Sequence, residues 1–361
     1  MRIGFDAKRY YHNHTGLGNY SRTLVKDLRR LFPETEMVLY DEKSVTRTFR
    51  LGRKAAADGC DLFHGLSNEL PFDLVHMKGM PRSVVTIHDT AWRTFPQMYQ
   101  FADRQIYDFK YGHAARHADC VVAISESTKR DVMRFYGVEE SRIRVIYQPV
   151  QGLFYDMPSP SGEAVHGAAC DKHDMGEGVM YSGDYFLSVG SINARKNLLG
   201  TLKAYACLKP ENRPRLIVVG RGRSYEQRCR DFVQKHGLER DVEFVGSVTS
   251  TNQLCSLYRG AMAMIYPSFY EGFGLPVVEA LLSGCPVLTS NVSSLPEAAG
   301  PGALLCSPHD TEEMAHMMQM LADDALLRRR LAAEGEHYCR THFDPDTLTR
   351  QMFNLYQSLI R

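Results

Sequence analysis

The sequence predicts an α/β fold of two doubly wound, Rossmann-like domains facing across a cleft. Three observations carry that expectation. Short apolar and β-branched runs alternate with amphipathic helical stretches along both halves of the chain, the pattern of parallel sheets covered on both faces. The alternation breaks once, over residues 157–184, where Pro, Ser and Gly gather without apolar period. Polar loops containing glycine follow several strands, on the carboxyl edge where open parallel sheets hold ligands.

Taken in order, residues 2–5 read as a strand, followed by a glycine-containing loop to Gly18 and an amphipathic helix over 19–31. Strands follow at 37–40, 61–63, 83–87, 120–124 and 144–146. Ser125 is suited to cap the helix that runs to Tyr136, and Gly137 to end it. In the second half the strands fall at 186–189, 216–219, 242–245, 262–266, 286–289 and 303–305. Ser224 and Gly237 bracket one helix, and Pro276 and Gly284 another. Helical stretches from Thr311 onward and over 345–360 end the chain. The predicted domains are 1–156 and 185–344, joined by a linker and insertion at 157–184.

Composition narrows the function. With 361 residues, 44% hydrophobic and 24% charged, the chain is an ordinary globular protein with room for two cores. A formal charge of +1 gives no field for nucleic acid. Nine scattered cysteines without a CxxC pair indicate a reducing compartment, and Cys170 and His173 lack companions for zinc. The first residues read as a strand rather than a signal peptide, and no apolar run reaches membrane-span length.

Four stretches carry chemistry. In Tyr266-Pro267-Ser268-Phe269-Tyr270-Glu271-Gly272-Phe273-Gly274-Leu275-Pro276, a strand ends in a glycine loop that meets a helix N-terminus, a place where backbone N–H groups hold an anion. Glu271 lies in that loop and Glu279 one turn into the helix, so both carboxylates can approach one ligand and hold sugar hydroxyls. Arg195 and Lys196 stand between the strand at 186–189 and the next helix, suited to a diphosphate or to a solvated basic turn. Gly16 and Gly18 allow close backbone approach, or make a simple strand-to-helix turn; Ser21 replaces the third glycine of a dinucleotide fingerprint. His88 closes the strongest strand of the first half, either to bond a sugar hydroxyl or phosphate oxygen or as a structural histidine, with Asp89 capping a turn. His64-Gly65 makes a weaker edge of the same kind. Arg221-Gly222-Arg223 reads as a surface turn, with a position facing nucleotide as the alternative, and Asp344-Pro345-Asp346 as an N-cap rather than a metal pair. Residues 103–116 mix aromatic and basic side chains, which suits a membrane surface, although a helix packed on its own sheet is the plainer reading.

Together these motifs resemble the retaining, GT-B-fold glycosyltransferases of family 4. The carrying residues are Gly16-Leu17-Gly18-Asn19-Tyr20, Thr86-Ile87-His88-Asp89, residues 190–197, Phe244-Val245-Gly246-Ser247-Val248, and the run from Glu271 to Ala280. The resemblance implies that Arg195 and Lys196 bind the donor diphosphate, and that Gly272, Phe273, Gly274 and Leu275 offer it backbone. It implies Glu271 on the transferred sugar, Glu279 on the ribose, His88 near the reacting carbon, and Val248 at the base. The loop with Gly16 and Gly18 would close over phosphates or acceptor, and the helix over 345–361 would cross back onto the first domain. Where many members carry a basic residue after the glycine equivalent to Gly190, this chain has Ser191, leaving the phosphate charge to Arg195 and Lys196. The implied activity is transfer of a hexose, mannose favoured, from a nucleotide-diphosphate sugar to a glycan or lipid-linked acceptor in surface-polysaccharide assembly. The donor would be GDP-mannose, with a UDP-sugar as the alternative, and no metal or cofactor would take part. The implied location is the cytoplasm or the inner membrane face. A nucleotide-dependent oxidoreductase and a non-catalytic binding relative are the competing readings; the missing third glycine weighs against the first, and the four charged residues together against the second.

Overall fold

The computed structural model describes residues 1–13, 16–74, 78–156, 184–246, 248 and 250–361. His14, Thr15, Ser247 and nearly all of the expected insertion, with Cys170 and His173, lie outside them. The chain forms two compact units, Met1–Gln151 with Phe343–Arg361, and Gly152–His342.

In the first unit, β1 (Arg2–Asp6), α1 (Lys8–His12), α2 (Gly16–Leu31), β2 (Glu36–Tyr40), α3 (Ser44–Phe49), α4 (Leu51–Ala57) and β3 (Leu62–Gly65) come first. Then follow β4 (Arg82–Ile87), α5 (Ala91–Thr94), α6 (Phe101–His117), β5 (Cys120–Ala123), α7 (Glu126–Tyr136) and β6 (Ile143–Val145). The six strands form a parallel sheet in the order β2-β1-β3-β4-β5-β6. Strands β3 and β5 are buried along their whole length, as β-branched and apolar runs require when helices cover both faces. Ser125 caps α7 by accepting the Thr128 N–H at 3.0 Å, and Gly137 ends it with φ 65°.

The second unit holds α8 (Leu153–Asp156), β7 (Tyr185–Val189), α9 (Leu198–Ala206), β8 (Arg215–Val219), α10 (Ser224–Lys235), β9 (Val242–Gly246), α11 (Thr251–Gly260) and β10 (Ala263–Tyr266). It continues with α12 (Leu275–Leu282), β11 (Val287–Ser290), α13 (Leu295–Ala299), β12 (Ala303–Cys306), α14 (Thr311–Asp323) and α15 (Ala325–His342). Its sheet is again parallel, in the order β12-β11-β10-β7-β8-β9. Leu153–Asp156, which the sequence reading put with the first domain, joins this unit because Phe154 is buried beside Tyr258, with ring centroids 6.3 Å apart.

The last helix, α16 (Pro345–Ile360), returns to the first unit. Asp344 caps it by accepting the Thr347 N–H at 2.8 Å, and Asp346 pairs with Arg30 of α2. The Phe353 ring stacks on Phe32 with centroids 3.6 Å apart. Two boundaries differ from expectation. Helix α2 starts at Gly16 instead of 19, so Gly16 and Gly18 lie in its first turn. Ser224 is the first helical residue of α10 and makes no cap, Arg223 taking the cap position.

Candidate active site

In the second sheet the strand order reverses between β7 and β10, and the crevice outside such a switch point is where doubly wound sheets take ligands. The loops leaving these two strands are residues 190–197 and 267–274. Gly190, at φ 130°, turns the chain off β7 in a conformation that side chains rarely adopt. Asn193 caps a single turn, Ala194–Lys196, by accepting the Lys196 N–H at 3.3 Å. Asn197 stands at φ 58°, buried, with its amide donating to the carbonyls of Pro267 (3.2 Å) and Pro308 (2.8 Å). The Phe269 N–H donates to the Arg195 carbonyl at 2.8 Å, which ties the two loops together.

This frame brings Arg195, Lys196 and Glu271 into one cluster. Arg195 reaches one carboxylate oxygen of Glu271 at 2.9 Å and Lys196 the other at 2.6 Å. Lys196 also donates to the Tyr266 hydroxyl, which donates to Glu271 Oε1 at 3.1 Å. Glu271 is only 7% exposed. Burial alone would raise its pKa, but the Lys196 and Arg195 charges outweigh that and hold the carboxyl at about 2. Burial, with Glu271 adding, keeps the Tyr266 phenol protonated as a donor. In this cluster the anion that the two cations hold is the protein's own Glu271 carboxylate.

The loop carrying Glu271 is held from behind. The Glu271 N–H donates to Ser293 Oγ at 3.0 Å, and the Ser294 hydroxyl sits 2.8 Å from both the Glu271 and Phe273 carbonyls. Gly272, Phe273 and Gly274 are buried. Gly274, at φ 112°, turns into the first residue of α12, Leu275; a Cβ there would meet Leu295 at 2.9 Å. On α12, Glu279 accepts the Tyr258 hydroxyl at 3.2 Å and is partly exposed, and burial pushes its carboxyl up to about 7. The two glutamates are therefore unlike, one a paired anion held well below the usual carboxylate range and the other raised to where it titrates around neutral pH. Val248 is half-buried, beside Ser250, which caps α11. Arg221 and Arg223 are exposed on the neighbouring loop.

The first unit has its own edge. His88 is buried, its Nε2–H donating to the Leu66 carbonyl at 2.9 Å and its backbone N–H to Asn68 Oδ1 at 2.7 Å. Burial lowers its pKa against the opposing effects of Leu66, Asp89 and Gln148, so the imidazole is neutral with Nδ1 as acceptor. Asp89 makes the small turn the plainer reading expected, accepting the Ala91 N–H at 3.0 Å. Gln148 lies 3.5 Å from the Gly16 carbonyl, which places one side chain against both His88 and the glycine turn. Gly18 serves the chain's own packing, since a Cβ there would sit 1.8 Å from the Asn13 carbonyl oxygen; Gly16 faces open space. Behind His88 runs a buried relay in which His64 bonds the Tyr356 hydroxyl (2.6 Å) and the Thr86 hydroxyl (2.8 Å). Tyr20 bonds Thr86 at 3.0 Å and packs edge-on against His88, with ring centroids 4.8 Å apart.

Sequence reasoning did not single out Tyr266, Ser293, Ser294, Gln148, Tyr20 or Tyr356 for these roles. The one available signal was position: Tyr266 ends a strand, and Ser293-Ser294 precede a Leu-Pro helix start.

Two doubly wound parallel sheets, the second with two cations and an acid meeting at its switch point, make an α/β fold of the kind many transferases use. The family models agree: Glycosyl transferases group 1 matches residues 181–338 and Glycosyltransferase Family 4 matches residues 13–151. The chain is 31% identical over 302 residues to an Escherichia coli protein described as O-antigen chain mannosyltransferase B, covering 82% of this chain and 74% of that one. It is 30% identical over 236 residues to the E. coli serotype-specific mannosyltransferase WbdA, where the match spans 64% of this chain and 28% of that longer protein. Among solved structures it resembles Anabaena HepE in complex with UDP (TM-score 0.73, 18% identity, 99% of this chain and 100% of that chain). It also resembles Thermosynechococcus elongatus sucrose-phosphate synthase (TM-score 0.74, 19% identity, 99% of each chain). The chain belongs to the family 4, group 1 glycosyltransferases, enzymes of GT-B fold. Among the described residues no helix is long and apolar enough to cross a membrane.

Proposed function

We propose that this enzyme moves a hexose, with mannose the favoured sugar, from a nucleotide-diphosphate sugar to a glycan or lipid-linked saccharide during surface-polysaccharide assembly. The observation that carries the donor half is the Arg195–Glu271–Lys196 cluster at the switch point of the second sheet. Two cations on a fixed loop supply the charge that a diphosphate needs as it leaves, and Arg195 offers a fork of donors. On this reading the diphosphate displaces Glu271 from the cations, and the freed carboxylate takes a hydroxyl of the sugar. Glu279 takes the ribose, the backbone from Gly272 to Leu275 meets the donor, and Val248 meets the base. The two cations do the work a metal ion would otherwise do, so the reading is metal-independent. The names of the E. coli relatives favour mannose and hence GDP-mannose; the UDP in the Anabaena structure keeps a UDP-sugar as the alternative.

Bond changes follow from charge. The anomeric C–O bond to phosphate breaks with its electron pair going to the leaving oxygen. The acceptor hydroxyl oxygen bonds the same carbon, and its proton passes to the leaving phosphate oxygen. Attack comes on the face the diphosphate leaves, so configuration is retained. His88, neutral with Nδ1 as acceptor, suits a contact to a sugar hydroxyl near the reacting carbon. The acceptor is assigned to the carboxyl edge of the first sheet, whose order reverses between β1 and β3.

A thermal-shift panel of GDP, UDP and ADP with their sugars tests the donor. The reading expects the largest shift from GDP-mannose and its loss in Lys196→Ala; equal shifts from all ligands in both proteins would overturn it. An NMR assay that found an inverted anomeric product would overturn retention.

A further inference from the structure

The His88 imidazole is backed by a relay of buried polar side chains drawn from separate elements: Tyr20 of α2, Thr86 of β4, His64 of β3 and Tyr356 of α16. Thr86 is the hub, its Oγ1 lying 3.0 Å from the Tyr20 hydroxyl and 2.8 Å from His64 Nε2. The other ring nitrogen of His64, Nδ1, lies 2.6 Å from the Tyr356 hydroxyl. None of these side chains is more than 2% exposed. Phe5 walls the relay, with ring centroids 6.0 Å from His64 and 6.5 Å from Tyr356. Burial takes the His64 pKa down to about 3, so the ring is neutral. One of its nitrogens then donates and the other accepts, so a single tautomer sets the direction of both bonds.

Two routes lead from the relay to His88. The first is the Tyr20 ring, which meets the His88 ring edge-on, with centroids 4.8 Å apart and planes at 85°. The second is the turn that leaves β3 just after His64. There the Leu66 carbonyl accepts the His88 Nε2–H at 2.9 Å, and Asn68 Oδ1 accepts the His88 backbone N–H at 2.7 Å. Asn68 stands at φ 64°, where residues other than glycine are uncommon, and its own N–H donates to the Thr86 carbonyl at 2.9 Å. Thr86 thus fastens Tyr20 with its hydroxyl and Asn68 with its carbonyl. Stability alone does not call for these polar groups, because apolar side chains of the same shape serve a core about as well. What a satisfied buried network adds is a single fixed arrangement, and this one is fixed around His88.

We propose that Tyr20, Thr86, His64 and Tyr356 are positioning residues for sugar transfer: the relay from α16 to α2 fixes the place and plane of the His88 ring. Through Tyr356 the last helix serves the reaction as well as the fold. The proposal rests on the reading that His88 contacts the sugar near the reacting carbon, and adds that this contact works only with the ring held in its present pose.

The test uses the full chain and two readouts: the rate of GDP release from GDP-mannose, and the NMR signals of the His88 ring in protein with isotope-labelled histidine. Thr86→Val keeps the shape and deletes the hub hydroxyl, while Tyr20→Phe and Tyr356→Phe each remove one end. Each is expected to lower kcat by about tenfold, because a small misplacement of a reacting group is costly. KM for GDP-mannose should stay within about twofold, as for an interaction felt only in the transition state. In the same variants the His88 ring signals should shift or broaden. Thr86→Ser keeps the hydroxyl and should restore both kcat and the ring signals. Wild-type kcat in Thr86→Val, whatever its melting temperature, overturns the proposal, as does a fall in kcat with unmoved His88 signals. Thr86→Ser behaving like Thr86→Val overturns it too. His88→Ala separates the two levels. If it loses turnover while Thr86→Val does not, positioning alone is overturned; if it turns over like wild type, the role given to His88 fails and the positioning proposal with it.

Discussion

Replacing Glu271 with glutamine is expected to separate two quantities that usually fall together: a bare nucleoside diphosphate should bind more tightly while sugar transfer collapses. The Glu271 carboxylate is the anion held by Arg195 (2.9 Å) and Lys196 (2.6 Å). Its pKa of about 2, against 4.5 for a free glutamate, corresponds to about 3 kcal/mol of net preference for the charged form. On the proposed reading, an entering diphosphate breaks that arrangement before it uses the same cations. The Glu271→Gln variant would offer a neutral amide instead, and most of that competition disappears. Allowing for water and salt that screen the incoming phosphates, a gain of about 1.4 kcal/mol, or about tenfold in Kd, is expected for GDP by titration calorimetry. The same change removes the carboxylate assigned to the sugar hydroxyl, so turnover with GDP-mannose should drop by about a hundredfold, the scale of losing one preorganised contact. If GDP affinity falls in step with turnover, Glu271 does not compete for the cations and the displacement argument fails.

Other outcomes follow from the same geometry. Glu279 is raised to about 7 by burial, so its anionic form costs stability as pH rises from its ordinary 4.5 through about 7. Because the carboxylate is a stronger acceptor than the protonated acid for a ribose hydroxyl, affinity for an intact nucleotide-sugar should strengthen through about pH 7 on the proposed reading, and Glu279→Gln should flatten that titration. Arg47 is buried against Asp6, 2.6 Å away, and Arg47→Met should cost about 3–5 kcal/mol in urea unfolding because it strands the Asp6 charge. Tyr356→Phe leaves His64 Nδ1 without its 2.6 Å partner inside the first unit and should cost about 1–3 kcal/mol. Nucleotide binding, assigned to the other unit, should not change in that variant.

The strand-helix alternation was legible because a parallel sheet buried on both faces writes itself as continuous apolar runs, and the expected strands at 83–87 and 242–245 lie within β4 and β9. Caps were legible where side-chain chemistry alone decides them, as at Ser125, Gly137 and Asp344. They were not legible at Ser224 or Gly16, where the helix start depends on how the preceding loop packs. In the loops after β7 and β10, Arg195, Lys196 and Glu271 could be picked out by type and position, but not their meeting, which depends on β7 and β10 being neighbours. Tyr266 and the Ser293-Ser294 pair were hidden for the same reason: each acts on a residue brought to it by strand order. Residues 103–116 pack as a helix on their sheet over the second half only, since hydrophobic content does not say which side chains a neighbouring element covers.

The central claim is that the Arg195–Lys196 loop holds the donor's diphosphate in place of Glu271. The most direct measurement is a crystal structure of the enzyme with GDP-mannose. The account predicts diphosphate oxygens within hydrogen-bond distance of the Arg195 guanidinium and the Lys196 amine, with the Glu271 carboxylate turned onto a sugar hydroxyl. A diphosphate bound elsewhere, with Glu271 still paired to both cations, would contradict it.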